Sequence, residues 1–231
     1  MRGEGMVPSA EDRLDLPVVG ERQSLREQVA HALRAALITG EMRPGVVYSA
    51  PVLAAQFGVS ATPVREAMLD LAKEGLVEAV RNKGFRVTEL SDRDLDELTE
   101  IRQLIEVPTV ARLADRARAE SFEPLRPLAE QIVDAAERGD LLAYVDADIR
   151  FHVELLALAG NAHLVDVVRD LRNRARLYGL SALYARGVLV DSAREHLDLL
   201  ELLAAGDTGG SERLMRNHIQ HVRGIWASKA E

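Results

Sequence analysis

The chain contains two short helical segments joined by a turn, SAPVLAAQFG and TPVREAMLDLAKEG, and this pair limits the folds that it can adopt. Gly58 and Gly75 stand where the two segments should end. A longer amphipathic segment precedes them, between a predicted N-cap at Ser24 and a predicted end at Gly40, with apolar residues at i, i+4 spacing: Leu25, Val29, Leu33 and Leu37. A supporting helix followed by two short helices around a glycine turn predicts a helix-turn-helix.

Two β-prone runs, LVEAV and FRVTEL, follow the second short helix and are separated by the polar turn RNKG. This pattern predicts a β-hairpin, which would serve as a wing. The order of elements over residues 23–88 favours a winged helix-turn-helix domain that binds double-stranded DNA. A generic helical domain ending in a hairpin is the alternative. Residues 1–22 are polar and interrupted by Gly and Pro, which predicts a flexible tail.

The distribution of charge agrees with a DNA-binding module. The whole chain has a formal net charge of -8, but residues 23–88 carry eight Lys and Arg against six Asp and Glu. The excess of acid therefore lies outside this segment, and a local positive surface is what DNA requires. No apolar run approaches the roughly 18 residues of a membrane span. We therefore expect a cytoplasmic protein without a membrane partner.

From Ser91 onward the apolar pattern is helical, and glycines mark several of the breaks. Pro108 predicts a kink or break near residue 107. We predict helices near residues 92–117, 122–138, 140–159, 162–185, 188–205 and 208–228. The expected fold is mainly α: a winged helix-turn-helix of three helices plus a small β-hairpin, a linker at residues 89–95, and an all-α six-helix bundle at residues 96–231.

Longer motifs carry a resemblance to a known family. They are LREQVAHALRAALITGEMRPG, LAAQFGVSATPVREAMLDLAKEGLVEAVRNKGFRV, Arg-x-x-x-Glu at 102–106, Asp-x-x-x-His at 148–152 and Ala-Gly-Asn at 159–161. Together they resemble the GntR family of bacterial regulators, in particular the FadR-like branch with a helical FCD effector domain. The resemblance covers nearly everything after residue 22. It implies a homodimer on a palindromic operator, with a small organic acid as the effector. Release of DNA by the effector, which relieves repression, is the commoner pattern in the family, and stronger DNA binding is the alternative.

The candidate DNA-binding residues lie at the start of the third helix and at the hairpin tip. A recognition helix meets the major groove with its N-terminal residues. The first group is Ser60, Thr62, Pro63 and Arg65, and the second is Arg81, Lys83 and Gly84. An exposed arginine and an ordinary basic turn are the alternatives. Ala61 and the pair Ala50-Pro51 stand where many relatives carry base-reading charged residues, so the operator of a relative does not transfer.

The candidate metal ligands are Asp148, His152, His196 and His218. Asp148 and His152 are spaced i, i+4, which places both on one face of a helix. His196 and His218 are flanked by apolar residues, and each alone would be interpreted as a partly buried side chain. The four together, at positions that the resemblance implies, indicate a divalent ion. One carboxylate and three imidazoles suit Zn²⁺ first, with Ni²⁺ or Mn²⁺ possible.

The candidate effector-binding residues are Arg102, Arg150, Asn161 and Arg172. A metal ion next to a guanidinium would bind an acid, and Arg102 is the first candidate for that guanidinium. Arg102 could instead simply pair with Glu106 along its helix. The segment ELSDRDL between the domains is the predicted point of transmission to DNA.

Two other functions use the same ligands. A metal-dependent hydrolase is one, and a regulator with a purely structural ion and no small effector is the other. No carboxylate stands out as a general base, and no nucleophile or H-E-x-x-H motif is present. We therefore predict that the chain is not an enzyme.

Overall fold

The computed structural model describes residues 24–175, 184–185 and 187–227, with side chains described as far as residue 220. The predicted tail at residues 1–22 and most of the region after residue 175 in the predicted helix 162–185 lie outside these ranges. None of the helices in the described part of the chain combines the length and hydropathy that crossing a bilayer needs.

Three helices form the helical part of the N-terminal domain: α1 (Leu25–Thr39), α2 (Ala50–Phe57) and α3 (Ala61–Lys73). The Ser24 hydroxyl accepts a hydrogen bond from the backbone of Glu27, whose carboxylate accepts one from the Ser24 backbone, so the predicted N-cap of α1 is a capping box. Gly40 and Gly58 end α1 and α2 in the left-handed conformation, with φ of 81° and 67°. The predicted helix-turn-helix is confirmed.

A three-stranded antiparallel sheet completes this domain, in the order β1-β3-β2. The predicted hairpin is formed by β2 (Val77–Val80) and β3 (Gly84–Val87). The additional strand, β1 (Val47–Tyr48), precedes α2 and pairs with β3. Two residues are too few to show an alternating pattern, so β1 could not be predicted from the sequence.

The C-terminal domain contains six α-helices in the described residues, as predicted. They are α4 (Asp92–Arg116), α5 (Arg126–Arg138), α6 (Leu141–Ala157), α7 (Ala162–Ala175), α8 (Leu189–Ala204) and α9 (Thr208–Ala227). Residues 92–95 of the predicted linker already belong to α4, which begins with a capping box between Ser91 and Asp94. The predicted start of α5 at residue 122 is wrong. The helix begins at Arg126, because two 3-10 turns occupy Ala119–Ser121 and Glu123–Leu125.

Of the kink or break predicted near residue 107, the break does not occur, since α4 continues through Pro108. Proline has no N–H, so the carbonyl of Leu104 loses its helical donor. Leu104 and Pro108 are both exposed, and water can satisfy that carbonyl. One missing hydrogen bond on the solvent face is therefore compatible with a continuous helix.

Two apolar cores hold the domains, and α1 contributes to both. Leu33, Met68 and Leu71 belong to the N-terminal core. Ile38, on the same helix as Leu33, belongs to the core of the bundle together with Phe151. The N-terminal domain is therefore packed directly against the bundle through α1, which contacts α6.

Candidate metal centre and nucleic-acid interface

The predicted recognition helix, α3, presents its polar side to solvent. Its buried side consists of Val64, Ala67, Met68 and Leu71. Ser60, Thr62 and Arg65 are exposed and Pro63 is partly buried. The Ser60 side chain makes no capping hydrogen bond within α3. These predicted residues are therefore placed where a DNA backbone or base edge could reach them.

A cleft of about 610 Å³ separates α3 from the wing, the turn between β2 and β3. Arg65 of α3 and Arg81, Lys83 and Gly84 of the wing line it. Its described lining includes three cations and no carboxylate. The structure thus gathers four of the seven predicted DNA-binding residues around one positively charged cleft, which suits a phosphate backbone.

Gly84 has a structural role inside the sheet. Its φ is 136°, and a Cβ at this position would lie 2.3 Å from the carbonyl oxygen of Tyr48 in β1. The close backbone approach that requires glycine here is therefore to β1. Asn82, which the sequence analysis did not single out, adopts a positive φ of 59° at the wing tip. Asn tolerates this conformation better than most residues.

The four predicted metal ligands meet in the bundle. Asp148 and His152 lie on α6, His196 on α8 and His218 on α9, and each offers a ligand atom within 4.8 Å of all the others. His152 Nε2 lies 3.1 Å from His196 Nε2, which lies 3.1 Å from Asp148 Oδ1. All three histidines are buried. Three helices therefore converge on one polar cluster inside an otherwise apolar core.

Neighbouring acceptors fix the protonation of two of these rings. His196 Nδ1 lies 2.9 Å from the Ala193 carbonyl oxygen, and His218 Nδ1 lies 2.7 Å from Glu195 Oε2. Both oxygens only accept, so each Nδ1 carries a proton. The Nε2 of a neutral His196 then directs a lone pair at Asp148. Two acceptors 3.1 Å apart require a cation or a proton between them. This donor set fits a divalent cation.

The ionisation of the cluster also suits a metal. Burial alone would raise the pKa of Asp148, but the interaction with His196 Nε2 and the charge of Arg172 outweigh it and keep this pKa below its ordinary value. Burial lowers the pKa of His152 and of His218. An ionised carboxylate and neutral imidazoles are the forms that bind metal ions.

A network of buried charges adjoins the cluster. Arg102 Nε donates to Glu106 Oε1 at 2.7 Å, and Arg172 Nη2 donates to Glu106 Oε2 at 2.5 Å. Arg172 Nη1 also donates to Asp148 Oδ2 at 3.2 Å. Burial lowers the pKa of Arg172, whereas for Glu106 the effect of burial is outweighed by Arg102 and Arg172, which lower its pKa. The pairing of Arg102 along its helix is thus one link in a chain that ends at Asp148.

The other two predicted effector-binding residues are not brought to this network. Arg150 follows Asp148 by two residues on α6, which turns it to the opposite side, and its side chain is 62% exposed. Asn161 accepts a hydrogen bond from the Leu164 backbone and so caps the start of α7. Glu195 is a further functional candidate that helical periodicity could not indicate, because its side chain contacts His218 on another helix.

A winged helix-turn-helix domain with a basic cleft, packed on a second, helical domain, defines the class of DNA-binding regulators. The family model for bacterial regulatory proteins of the gntR family matches residues 25–87, and the model for the FCD domain matches residues 97–221. The chain therefore belongs to the GntR family and is a transcriptional regulator with an FCD domain.

Relatives with known names agree with this assignment. The chain is 30% identical over 199 residues to the probable D-xylose utilization operon transcriptional repressor of Paenarthrobacter nicotinovorans, covering 86% of this chain and 87% of that protein. It is 28% identical over 203 residues to the repressor RspR of Escherichia coli, covering 87% and 88%. The solved structure of Escherichia coli McbR/YncC is similar, with a TM-score of 0.67, 28% identity, and coverage of 89% of this chain and 98% of that one.

Proposed function

We propose that this regulator is a repressor that binds a palindromic operator as a homodimer, and that a small organic acid controls its affinity for DNA. The acid binds beside a divalent ion held by Asp148, His152, His196 and His218. The observation that carries this proposal is the convergence of these four ligands next to two buried arginines. The similarity to two proteins named as repressors supports the direction of regulation.

The basic cleft supports the DNA-binding part. Arg65 would contact the operator from α3, while Arg81 and Lys83 would contact it from the wing. Ser60, Thr62 and Pro63 would meet the groove at the start of α3. Gly84 acts indirectly, because the absence of a Cβ at this position lets β3 pair with β1. The departures at Ala61 and Pro51 mean that the base sequence must be determined directly.

The charge balance supports an acidic effector. Arg102 and Arg172 are offset by Glu106 and Asp148, and the Glu195 carboxylate beside His218 adds one negative charge. A bound divalent ion would therefore leave one positive charge uncompensated at a buried place, which an anionic ligand offsets. Arg102 and Arg172 can each donate to a carboxylate in a forked geometry. Arg150 and Asn161 are not part of this proposal.

An exposed apolar surface on α4 supports the homodimer. Leu104 is 69% exposed, the highest value among the large apolar side chains in the described chain, and Ile101 lies beside it at 42%. Pro108 and Ala111 continue the same side of α4 and line a groove with Arg216 of α9. Two recognition helices on a palindromic site require two copies of the domain, which this surface could hold together.

Metal analysis combined with ligand-dependent stability tests the sensory part. We expect about one Zn²⁺, Ni²⁺ or Mn²⁺ per chain in the wild type and none in Asp148→Ala. Asp134→Ala, an exposed carboxylate on α5, is the matched control and should keep the ion. Organic acids should raise the unfolding temperature of the wild type only when no chelator is present.

The same experiment separates the alternatives. The burial of three ligand histidines favours a structural ion, and that interpretation gains if a chelator unfolds the bundle and no acid stabilises it. Turnover of any acid would indicate a hydrolase. For DNA, Arg65→Ala should weaken binding to the region upstream of the protein's own gene by about 10-fold or more. Arg93→Ala, an exposed arginine on α4, should not.

A further inference from the structure

Glu195 precedes His196 on α8, but its side chain contacts a different ligand. Consecutive residues on a helix point about 100° apart. His196 faces Asp148, with its Nε2 3.1 Å from Asp148 Oδ1, whereas Glu195 Oε2 lies 2.7 Å from Nδ1 of His218 on α9. His218 is buried, and the Glu195 side chain is 21% exposed. The contact joins α8 to α9 at the edge of the ligand cluster.

We propose that Glu195 is a positioning residue of the metal centre, which fixes the tautomer and orientation of His218 so that its Nε2 lone pair is presented to the ion. This inference rests on the metal site proposed above and names a residue outside the ligand set. A carboxylate that accepts the second N–H of a ligand histidine also raises the donor strength of the ring.

The three histidines differ in the hydrogen-bond acceptor that their Nδ1 atoms face. His196 Nδ1 donates to a neutral backbone carbonyl at 2.9 Å, and His218 Nδ1 donates to a carboxylate. His152 Nδ1 is buried and has no hydrogen-bond partner among the described residues. Glu195 therefore gives His218 the strongest support of the three rings, and His218 should contribute most to the affinity for the ion.

Removal of the carboxylate would act through His218 in two ways. Without an acceptor at Nδ1, the neutral ring can place its proton on Nε2, which blocks the ligand atom. The His218 ring is also freer to rotate, so the loss of this rotational freedom is added to the free-energy cost of binding the ion. Gln at this position is nearly the same size as Glu and offers a carbonyl oxygen to the same N–H, so it should retain part of the effect.

Zn²⁺ affinity, measured by competition with a fluorescent chelator, tests the proposal with Glu195→Ala, Glu195→Gln and Asp198→Asn. Asp198 is an exposed carboxylate on the same helix and serves as the control. We expect Glu195→Ala to bind Zn²⁺ about 10- to 100-fold more weakly than the wild type. Glu195→Gln should lie between them, and Asp198→Asn should match the wild type. Nitrogen-detected NMR of the metal-free protein should show His218 protonated at Nδ1 in the wild type and as a tautomer mixture in Glu195→Ala.

The proposal is overturned if Glu195→Ala binds Zn²⁺ as tightly as Asp198→Asn, or if Glu195→Gln is weaker than Glu195→Ala. Far-UV circular dichroism checks that the metal-free variants fold. If Glu195→Ala does not fold, Glu195→Asp, whose carboxylate is one methylene too short to reach Nδ1, replaces it. A wild type that binds no Zn²⁺, Ni²⁺ or Mn²⁺ would overturn the metal site itself. Normal binding by every variant would overturn only the role of Glu195.

Discussion

Glu106 offers the sharpest test of the buried charge network, because its carboxylate is fully buried between two arginines. Its oxygens lie 2.7 Å from Arg102 Nε and 2.5 Å from Arg172 Nη2. Glu106→Gln keeps the shape but removes the charge, so two buried guanidiniums are left with Asp148 as their only counter-charge in the network. Breaking a buried pair by removing one partner costs about 3–5 kcal/mol. We expect a loss of that size in the free energy of unfolding.

Urea unfolding followed by far-UV circular dichroism, with a chelator present, measures this loss without a metal contribution. At a slope of about 2 kcal/mol/M, the midpoint should fall by about 1.5–2.5 M. Glu78→Gln is the matched control, since Glu78 accepts from Arg86 at 2.8 Å with its side chain 60% exposed. It should cost no more than about 1 kcal/mol. Equal midpoints for the two variants would refute the reasoning.

The pH dependence of the same experiment has a definite sign. Burial would raise the pKa of Glu106, but Arg102 and Arg172 outweigh it, so the folded pKa lies below the ordinary value. A carboxyl group with a depressed folded pKa stabilises the protein above its unfolded pKa, near 4.3. This contribution disappears as the pH falls towards the folded pKa. The difference between wild type and Glu106→Gln should therefore be constant at neutral pH and shrink below about pH 4.3.

Three further predictions concern other parts of the chain. Gly84→Ala places a Cβ 2.3 Å from the Tyr48 carbonyl oxygen, so it should weaken DNA binding in a gel-shift assay while Zn²⁺ binding persists. Gly58→Ala is the control, and it should weaken DNA binding less because nothing lies within 4 Å of the added Cβ. Leu104→Glu should shift the protein from dimer to monomer in light scattering, and an unchanged mass would exclude the α4 surface. A chelator should lower the unfolding temperature of the wild type but not of Asp148→Ala, and an equal decrease would place the ion elsewhere.

The helices of the N-terminal domain could be predicted because their ends are encoded locally. Ser24 and Glu27 form a cap within one turn, and Gly40 and Gly58 adopt the conformation that glycine permits most readily. Asp148 and His152 share one face of α6 for the same local reason. Such features depend on residues three or four positions apart, and a single sequence contains them directly.

The rest of the site depends on contacts between distant segments. Arg172 reaches Glu106 across 66 positions, and Glu195 reaches His218 across 23. Helical periodicity shows that each side chain lies on a buried face but not which charged partner it meets. The positions of His196 and His218 relative to Asp148 came from the family resemblance for this reason. Arg150, two positions after Asp148, lies on the other side of α6 with its side chain 62% exposed, so the structure does not bring it to the network.

The helix that carries Arg172 of the buried charge network also contacts the DNA-binding domain. Arg172 lies near the described end of α7. Two residues further on, the Cγ atom of Arg174 lies 3.4 Å from the position that a Cβ on Gly75 would take. Ala175 forms a small apolar cluster with Leu95 and the partly buried Leu90, which belong to the predicted transmission segment. This segment therefore packs against α7. An acid that pairs with Arg172 would compete with Glu106 and Asp148, and so favour another position of α7. Its effect on DNA binding can be no larger than its preference for that position.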